Sequence, residues 1–149
     1  MNARAALAVL VIALAAACQI TSRNPGIPEG YVTVPDYDGA ILSAVAPSGN
    51  RIVTRRHPNP PEGTLAFWRD AIRAELEDGK GYEQVETSGV TGRSGRAGWE
   101  FLFRVTRPEG EYLYLVLVRV EGAYVTVTEA GGREASIRAD LPALRDALR

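Results

Sequence analysis

Cysteine, histidine and lysine are each represented once in this chain of 149 residues, the first two as Cys18 and His57. The usual zinc sites combine three or four cysteine and histidine ligands, so none of these sites can be assembled here. No serine stands in the G-x-S-x-G pattern of a nucleophile elbow. The sequence therefore shows no complete catalytic set, and we expect a protein without enzymatic activity, cofactor or metal.

A strong charge of either sign is also missing. The chain has 17 basic and 18 acidic residues and a formal net charge of −1. Proteins that bind nucleic acids carry a basic excess that neutralises phosphates. Because this chain has no such excess, we expect no nucleic-acid partner.

The sequence does contain a long hydrophobic run, and it lies at the N-terminus. Met1–Arg4 is short and positively charged, and all thirteen residues of Ala5–Ala17 are Ala, Leu, Val or Ile. A transmembrane helix needs roughly 20 residues, whereas the apolar region of a signal peptide has about 7–15. Residues 1–17 are therefore predicted to be a signal peptide.

The segment "LAAAC" that ends at Cys18 resembles the lipobox of bacterial lipoproteins. This resemblance implies that Cys18 becomes the first residue and carries acyl chains such as palmitate, so that membrane lipid is its partner. Leu14 lies one position further from the cysteine than in the usual pattern, which leaves ordinary secretory cleavage as the alternative. Gln19 implies the periplasmic face of the outer membrane, because inner-membrane retention is associated with aspartate there. Residues 18–30 are polar, contain Pro and Gly, and are predicted to be a flexible tether.

Residues 31–149 are predicted to form one globular domain. The expected strands are Tyr31–Val34, Ala40–Ala46, Arg51–His57, Tyr82–Val90, "GWEFLFRVT", "EYLYLVLVRV" and "AYVTVTE". A helix is expected over 60–78, with Asn59 as its cap and Glu62 completing a capping box. A closing helix is expected with Asp140 as its cap.

The strand "EYLYLVLVRV" is apolar on both of its faces. A strand of this kind has to be covered on both sides, and the two helices are the only elements available for this. The prediction is an α+β fold in which an antiparallel sheet has helices on both faces, a three-layer α/β/α sandwich. Trp68 and Trp99 are expected to fill the core.

The order of these elements is similar to that of the PsbP-like fold, which includes DcrB-type bacterial lipoproteins. The resemblance is based on "FWRDAI" in the first helix, Gly98-Trp99 at the start of a strand, and "VTEAGG" before the closing helix. It implies a domain that binds or organises other proteins, without an enzymatic signature.

"GVTGRSGRAG" is the most unusual stretch of the domain. Its glycines recur every third residue, with arginines between them. Backbone N–H groups and guanidinium groups of this kind can hold an anion, although the stretch lacks the G-K-[ST] ending of a P-loop. A mobile hairpin loop is the simpler interpretation. Gly92, Arg93, Gly95 and Arg96 are the candidate contact loop.

Other polar residues give weaker signals. Arg55 and Arg56 are candidate anion contacts, and His57 is expected in a loop before a proline-rich turn. Asp36 and Asp38 resemble the start of an EF-hand loop, but the later ligand positions hold Ala and Pro. We therefore interpret the aspartates as part of a polar turn.

Together these patterns predict a membrane-anchored lipoprotein of the bacterial cell envelope, with a domain that is a non-enzymatic protein-binding or assembly module. Its partner is expected to be an envelope protein. Two alternatives from other classes remain. One is a periplasmic carrier of a small ligand or anion, bound in a pocket between the sheet and a helix. The other is a hydrolase with an acid–base pair that only folding brings together.

Overall fold

Seven antiparallel strands form one sheet in the computed structural model, which describes residues 26–35 and 38–149. The strands are β1 (Val32–Thr33), β2 (Leu42–Val45), β3 (Arg51–Pro58), β4 (Glu83–Thr91), β5 (Ala97–Arg107), β6 (Gly110–Glu121) and β7 (Tyr124–Arg133). Their order across the sheet is β1-β2-β3-β7-β6-β5-β4. The long apolar strand, β6, is therefore an interior strand, as its sequence predicts.

The first helix, α1, is shorter than predicted. It comprises Leu65–Ala74 and continues into one π-helical turn, Glu75–Gly79. Its cap is Thr64, which accepts a hydrogen bond from the backbone N–H of Phe67 at 3.1 Å. The prediction that Asn59 caps the helix is wrong, because that side chain is buried in the preceding loop and bonds there.

The closing helix, α2 (Glu134–Leu148), begins earlier than predicted. Asp140 therefore does not cap it but lies within it, where its carboxylate accepts a hydrogen bond from the Tyr31 hydroxyl at 2.8 Å. The extra turns add Ile137 to the apolar stripe, and Pro142 lies inside the helix. Among the described residues, neither helix is long and apolar enough to cross a membrane.

The two faces of the sheet are covered differently. On the face that we call the filled face, α2 contributes four buried side chains: Ile137, Leu141, Leu144 and Leu148. They pack on Leu113, Leu115 and Leu117 of β6. On the opposite face, the open face, α1 itself buries no residue, and only Leu76 of the π-helical turn is buried against the sheet. The predicted three-layer arrangement is confirmed, with one layer packed and one loose.

Ion pairs to the buried carboxylate of Glu100 hold α2 against the filled face. The side chain of Glu100 is 4 % exposed and pairs with Arg145 at 2.8 Å and Arg149 at 3.0 Å. Arg145 also reaches Glu86 of β4 at 2.6 Å. A carboxylate removed from water needs such charged donors, because an unpaired buried charge is strongly destabilising.

The prediction that both tryptophans fill the core is confirmed only in part, because Trp99 packs against the buried cluster of the open face whereas Trp68 lines a cleft. Trp99 is only partly buried, near the end of the sheet, where its indole N–H donates to the Thr87 hydroxyl at 2.7 Å. The guanidinium of Arg69 lies 5.0 Å from the centre of its ring. Trp68 is also partly buried and lies on α1 beside the cleft described next.

Candidate functional site

A cleft of about 420 Å³ lies on the open face, between α1 and strands β3, β7 and β6. It exists because α1 lies on the sheet without burying a residue of its own. Its floor is apolar and consists of Trp68, Ile72, Leu76, Val116 and Val127. Its rim is charged or polar and consists of Arg55, His57, Glu75, Lys80 and Glu129. An apolar floor with a few polar groups is the usual composition of a ligand-binding cleft.

Hydrogen bonds to Asn59 hold Trp68 in place. Asn59 is 2 % exposed, and its Oδ1 accepts from the Trp68 indole N–H at 2.8 Å. The same oxygen accepts from the backbone N–H of Gly63 at 2.9 Å, while Nδ2 donates to the carbonyl of Gly122 at 3.1 Å. One buried amide thus joins the start of α1 to the β6–β7 turn, which fixes the position of Trp68 in the cleft.

A chain of polar contacts crosses the other side of the cleft. Arg55 donates to Glu129 Oε2 at 3.0 Å, and the Tyr114 hydroxyl donates to Glu129 Oε1 through a short hydrogen bond. Arg55 also lies 4.0 Å from the exposed carboxylate of Asp38. Both oxygens of Glu129 are therefore occupied by donors from β3 and β6.

Tyr114 is held in its neutral form. Burial raises the pKa of its hydroxyl above its usual range, and the hydrogen bond to Glu129 raises it further. The hydroxyl therefore remains a hydrogen-bond donor at any physiological pH. The pair can orient a bound molecule, but Tyr114 does not supply a phenolate nucleophile.

A second cleft of about 250 Å³ adjoins the first and shares Arg55 and Glu129 with it. Arg51 and Val53 of β3 line it as well. Alternate residues of a strand point to the same face, so the four side chains from Arg51 to His57 form one row. Together the two clefts form what we call the groove, which follows β3 for about 20 Å at roughly 3.3 Å per residue.

The charges along the groove are balanced. Among the described residues, its rim carries three cationic and three acidic side chains, and the cationic ones are Arg51, Arg55 and Lys80. The three acidic side chains are Asp38, Glu75 and Glu129. Lys80 is 3.3 Å from Glu75, and Arg55 is paired with Glu129. A groove of this charge does not select a strongly anionic ligand.

The structure separates the two arginines that the sequence predicts as anion contacts. Arg55 lines the groove, whereas Arg56 lies on the other face of β3 and pairs with Glu121 at 3.6 Å. Successive residues of a strand point to opposite faces, so these neighbours cannot act on one ligand. His57, expected in a loop, lies in β3 and lines the cleft.

The backbone of the predicted contact loop is engaged within the domain. The N–H of Gly92 donates to the Arg96 carbonyl at 2.8 Å, and that of Gly95 to the Gly92 carbonyl at 2.8 Å. The N–H of Arg93 donates to the Arg149 carbonyl at 2.7 Å. These N–H groups therefore do not converge on a shared empty position, as an anion nest requires.

The side chains of this loop also have intramolecular partners. Arg93 is 2.8 Å from Asp146 of α2, and Arg96 is 2.8 Å from Glu121 of β6. Arg56 shares the same Glu121, so the structure brings together two predicted residues that lie 40 positions apart. The loop remains a predicted contact surface on the part of the domain away from the groove.

Some predicted residues lie outside the described ranges, namely Cys18, Gln19 and Asp36. Within residues 26–35 and 38–149, no group of three or more His, Cys, Asp and Glu side chains is arranged to hold a metal ion. The absence of a metal remains a prediction for the whole chain.

Sequence reasoning missed three residues of the groove: Tyr114, Glu129 and Trp68. Glu129 lies in the strand "AYVTVTE" on the same face as Val127, and a charged residue in that alternating pattern was a usable signal. The sequence did not single out Tyr114, because an aromatic residue in a central strand is expected to lie in the hydrophobic core. Trp68 likewise read as core, because its position on the apolar stripe of a helix says nothing about how closely the helix packs.

The chain is similar in structure to several solved proteins. Cyanobacterial PsbP (CyanoP) from Synechocystis sp. PCC 6803 matches with a TM-score of 0.61 and 12 % identity, over 81 % of this chain and 80 % of that one. LpqN, described as involved in cell envelope biogenesis of Mycobacterium tuberculosis, matches with a TM-score of 0.65 and 14 % identity, over 81 % and 76 %. The domain has the PsbP-like fold.

A third neighbour is PA94, a protein of unknown function from Pseudomonas aeruginosa, with a TM-score of 0.52 and 14 % identity over 79 % and 77 % of the two chains. No family model matches the sequence, and no curated protein matches it. At these identities the similarity establishes the PsbP-like fold alone, because one fold can host unrelated functions.

Proposed function

We propose that this chain is a lipid-anchored protein of the bacterial cell envelope, and that its PsbP-like domain binds a partner without catalysing a reaction. The anchor is the acylated Cys18, and the membrane is the outer membrane, facing the periplasm. The lipobox-like segment supports the anchor. The similarity of the domain to LpqN, an envelope-biogenesis protein, supports the compartment.

The groove on the open face is the observation that carries the binding role. It is open to solvent, elongated along β3 and balanced in charge. These features suit a segment of another protein, because an extended chain offers apolar side chains for the floor and backbone polar groups for the rim. The proposed partner is therefore an envelope protein, and the groove is its contact site.

A carrier of a small ligand is the second candidate. The main cleft alone, at about 420 Å³, falls within the range of roughly 300–1,000 Å³ for small-molecule pockets. Arg55, one of the two arginines predicted to orient an anion, lines it. The balanced charge of the rim makes an anion less suitable than a neutral or zwitterionic molecule.

The groove gives less support to a hydrolase. Tyr114 and Glu129 lie within hydrogen-bond reach, which is the geometry that an acid–base pair needs. However, Glu129 accepts from Arg55 and Tyr114 through both of its oxygens, and Tyr114 is held neutral. Neither group is placed to abstract a proton from a bound substrate.

The anchor is tested by comparing the full-length chain with a Cys18→Ser variant in membrane fractions. We expect the unmodified chain to sediment with the outer membrane and to carry acyl mass on Cys18, and the variant to lose both properties. A full-length chain that carries no acyl mass and stays out of the membrane fraction overturns the anchor.

The binding site is tested with a photoreactive amino acid in place of His57, which lines the groove and is exposed. The matched control carries the same group in place of Arg73, which is exposed on α1 and does not line the groove. We expect one dominant envelope protein to be crosslinked from position 57 and not from position 73.

Two other results have defined meanings. Crosslinking of a small molecule at position 57, seen as a mass shift of the intact chain, favours the carrier over the protein-binding module. Equal labelling from both positions, or none from either, overturns the groove as the binding site.

A further inference from the structure

Strand β4 is the last strand of the sheet, so one of its sides is an unpaired edge. It has nine residues, Glu83–Thr91, whereas the strand at the opposite end of the sheet, β1, has two. Among the described residues, only β5 is hydrogen-bonded to β4. A long strand edge that remains exposed is a template for pairing with another strand.

The backbone groups that point away from the sheet can be identified from the β4–β5 turn. The N–H of Gly92 donates to Arg96 across this turn at 2.8 Å, so Gly92 faces β5. Hydrogen-bonded residues alternate along an antiparallel ladder. Thr87, Gly89 and Thr91 therefore direct their backbone N–H and C=O groups outwards.

Only the first part of β4, around residues 84–86, has a feature that prevents another strand from pairing with this edge. The register shifts between Gln84 and Glu86, and such a bulge interrupts further pairing there. From Thr87 to Gly92 the chain has no bulge, no charge and no proline. This stretch lacks the devices by which natural proteins block an edge.

We infer that β4 pairs in antiparallel fashion with β4 of a second copy of this chain, centred on Gly89. In this register Gly89 lies opposite Gly89 of the second copy, and Thr87 lies opposite Thr91. All three outward-facing residues then meet outward-facing residues, so the ladder is complete on both chains. The pairing uses the edge of the sheet and leaves the groove on the open face accessible.

The charges beside this pairing are compatible with a second copy. Glu86 lies opposite Gly92 of the second copy, and Val85 lies opposite Arg93. The charged residues nearest to each other are thus Glu86 and Arg93, which have opposite signs. Each is also paired within its own chain, Glu86 with Arg145 and Arg93 with Asp146, so no unpaired like charges face each other across the strands. Because one strand edge is smaller than the interface of a stable dimer, the association is weak.

The test measures self-association of the chain from residue 18 onwards with Cys18→Ser, which contains all the described residues and has no thiol. Sedimentation equilibrium is run at concentrations from about 10 to about 500 μM, the range in which a weak interface is populated. We expect a monomer–dimer equilibrium. A monomer throughout this range overturns the inference.

Gly89→Pro is the decisive variant. It removes the outward N–H of Gly89 but no hydrogen bond to β5, and a Cβ at this position lies 3.4 Å from the Trp99 ring, an ordinary contact. Two hydrogen bonds are lost per dimer, and we expect the dissociation constant to rise at least about tenfold.

Thr33→Pro, in the short edge strand β1, is the matched control, and its dissociation constant should remain that of the parent chain. If Gly89→Pro has lost the circular dichroism of the folded domain, Thr91→Lys replaces it, because a lysine on the edge of β4 opposes the pairing without altering the ladder. An unchanged dissociation constant in the folded β4 variant, or an equal rise in Thr33→Pro, overturns the inference.

Discussion

The filled face and the open face belong to one sheet but differ in what their helices contribute. On the filled face, α2 (Glu134–Leu148) buries four aliphatic side chains and is fastened by Glu100. On the open face, α1 (Leu65–Ala74) buries none of its residues and leaves a cleft beneath it. Both faces bury a hydrophobic cluster, but a helix contributes four buried side chains to the cluster of the filled face, whereas α1 contributes none to that of the open face.

The sequence of each helix explains part of this difference. The buried residues of α2 recur at spacings of three and four from Ile137 to Leu148, which form one continuous stripe. The stripe of α1 includes Trp68, whose large indole is held at the edge of the helix by Asn59. Trp68 therefore lines the cleft and adds no buried side chain to the contact between α1 and the sheet.

Shortening one aliphatic side chain on each face is expected to give the largest contrast. Leu144→Ala, at a fully buried position, should lower the free energy of unfolding by about 2–5 kcal/mol, because it leaves a cavity. Ile72→Ala, at a partly buried position in the cleft, should lower it by about 1 kcal/mol. Urea unfolding of the chain from residue 18 with Cys18→Ser measures both values.

A loss for Ile72→Ala as large as that for Leu144→Ala would contradict the contrast, since it would mean that α1 is packed as tightly as α2. The contrast between the two faces would be strengthened if crosslinking of the partner from position 57 is unchanged in Leu144→Ala and reduced in Ile72→Ala.

Removing the charge of one carboxylate on each face is expected to give a smaller contrast. Glu100→Gln leaves Arg145 and Arg149 without their buried partner and should cost about 2–3 kcal/mol. Glu129→Gln, whose side chain is 28 % exposed and bonds to Arg55 and Tyr114, should cost about 1 kcal/mol. The same urea measurement separates the two variants.

Salt provides a control for this pair. Raising the ionic strength screens the exposed contacts of Glu129 more than the buried ones of Glu100. If salt reduces the loss of stability in Glu100→Gln more than that in Glu129→Gln, the conclusion that Glu100 is the more buried carboxylate is wrong.

The smallest expected effect is a pH dependence that involves one tyrosine on each face. Burial raises the pKa of both Tyr31 and Tyr114, and the hydrogen bonds to Asp140 and Glu129 raise it further. A hydroxyl with a raised pKa in the folded state contributes stability that is complete below the unfolded value of about 10 and is lost as the pH rises above it.

Between about pH 9.5 and 11.5 we therefore expect the free energy of unfolding of the parent chain to fall, and to fall less in Tyr31→Phe or Tyr114→Phe. At neutral pH each variant should cost about 1 kcal/mol. If the free energy of unfolding falls with pH at the same rate in all three proteins, neither hydroxyl has a higher pKa in the folded state than in the unfolded state.

Much of the fold could be predicted from particular residues. The pattern of "EYLYLVLVRV" predicted a strand that is apolar on both faces, and the structure confirms this, with Leu113, Leu115 and Leu117 buried on the filled face and Val116 on the open face. The helix ends were harder to predict. Thr64, and not Asn59, caps α1. The buried amide of Asn59 instead donates a hydrogen bond to the carbonyl of Gly122, which lies 63 residues further along the chain.

The candidate site was less predictable than the fold. Arg55, predicted as an anion contact, lines the groove, whereas Arg56, predicted together with it, lies on the opposite face of β3. The actual companions of Arg55, Glu129 and Tyr114, are 74 and 59 residues away along the chain, and only the sheet order brings them beside it. Spacing along a sequence carries no information about such contacts.

By itself, the sequence determined the alternation of strands, the need for a layer on each face of β6, and the lipobox-like segment that ends at Cys18. These are local patterns, set by the two-residue period of a strand and the 3.6-residue period of a helix. Only the tertiary structure decided that α2 seals its face while α1 leaves a groove. That outcome depends on how closely each helix approaches the sheet, and this is set by contacts between residues far apart in the chain.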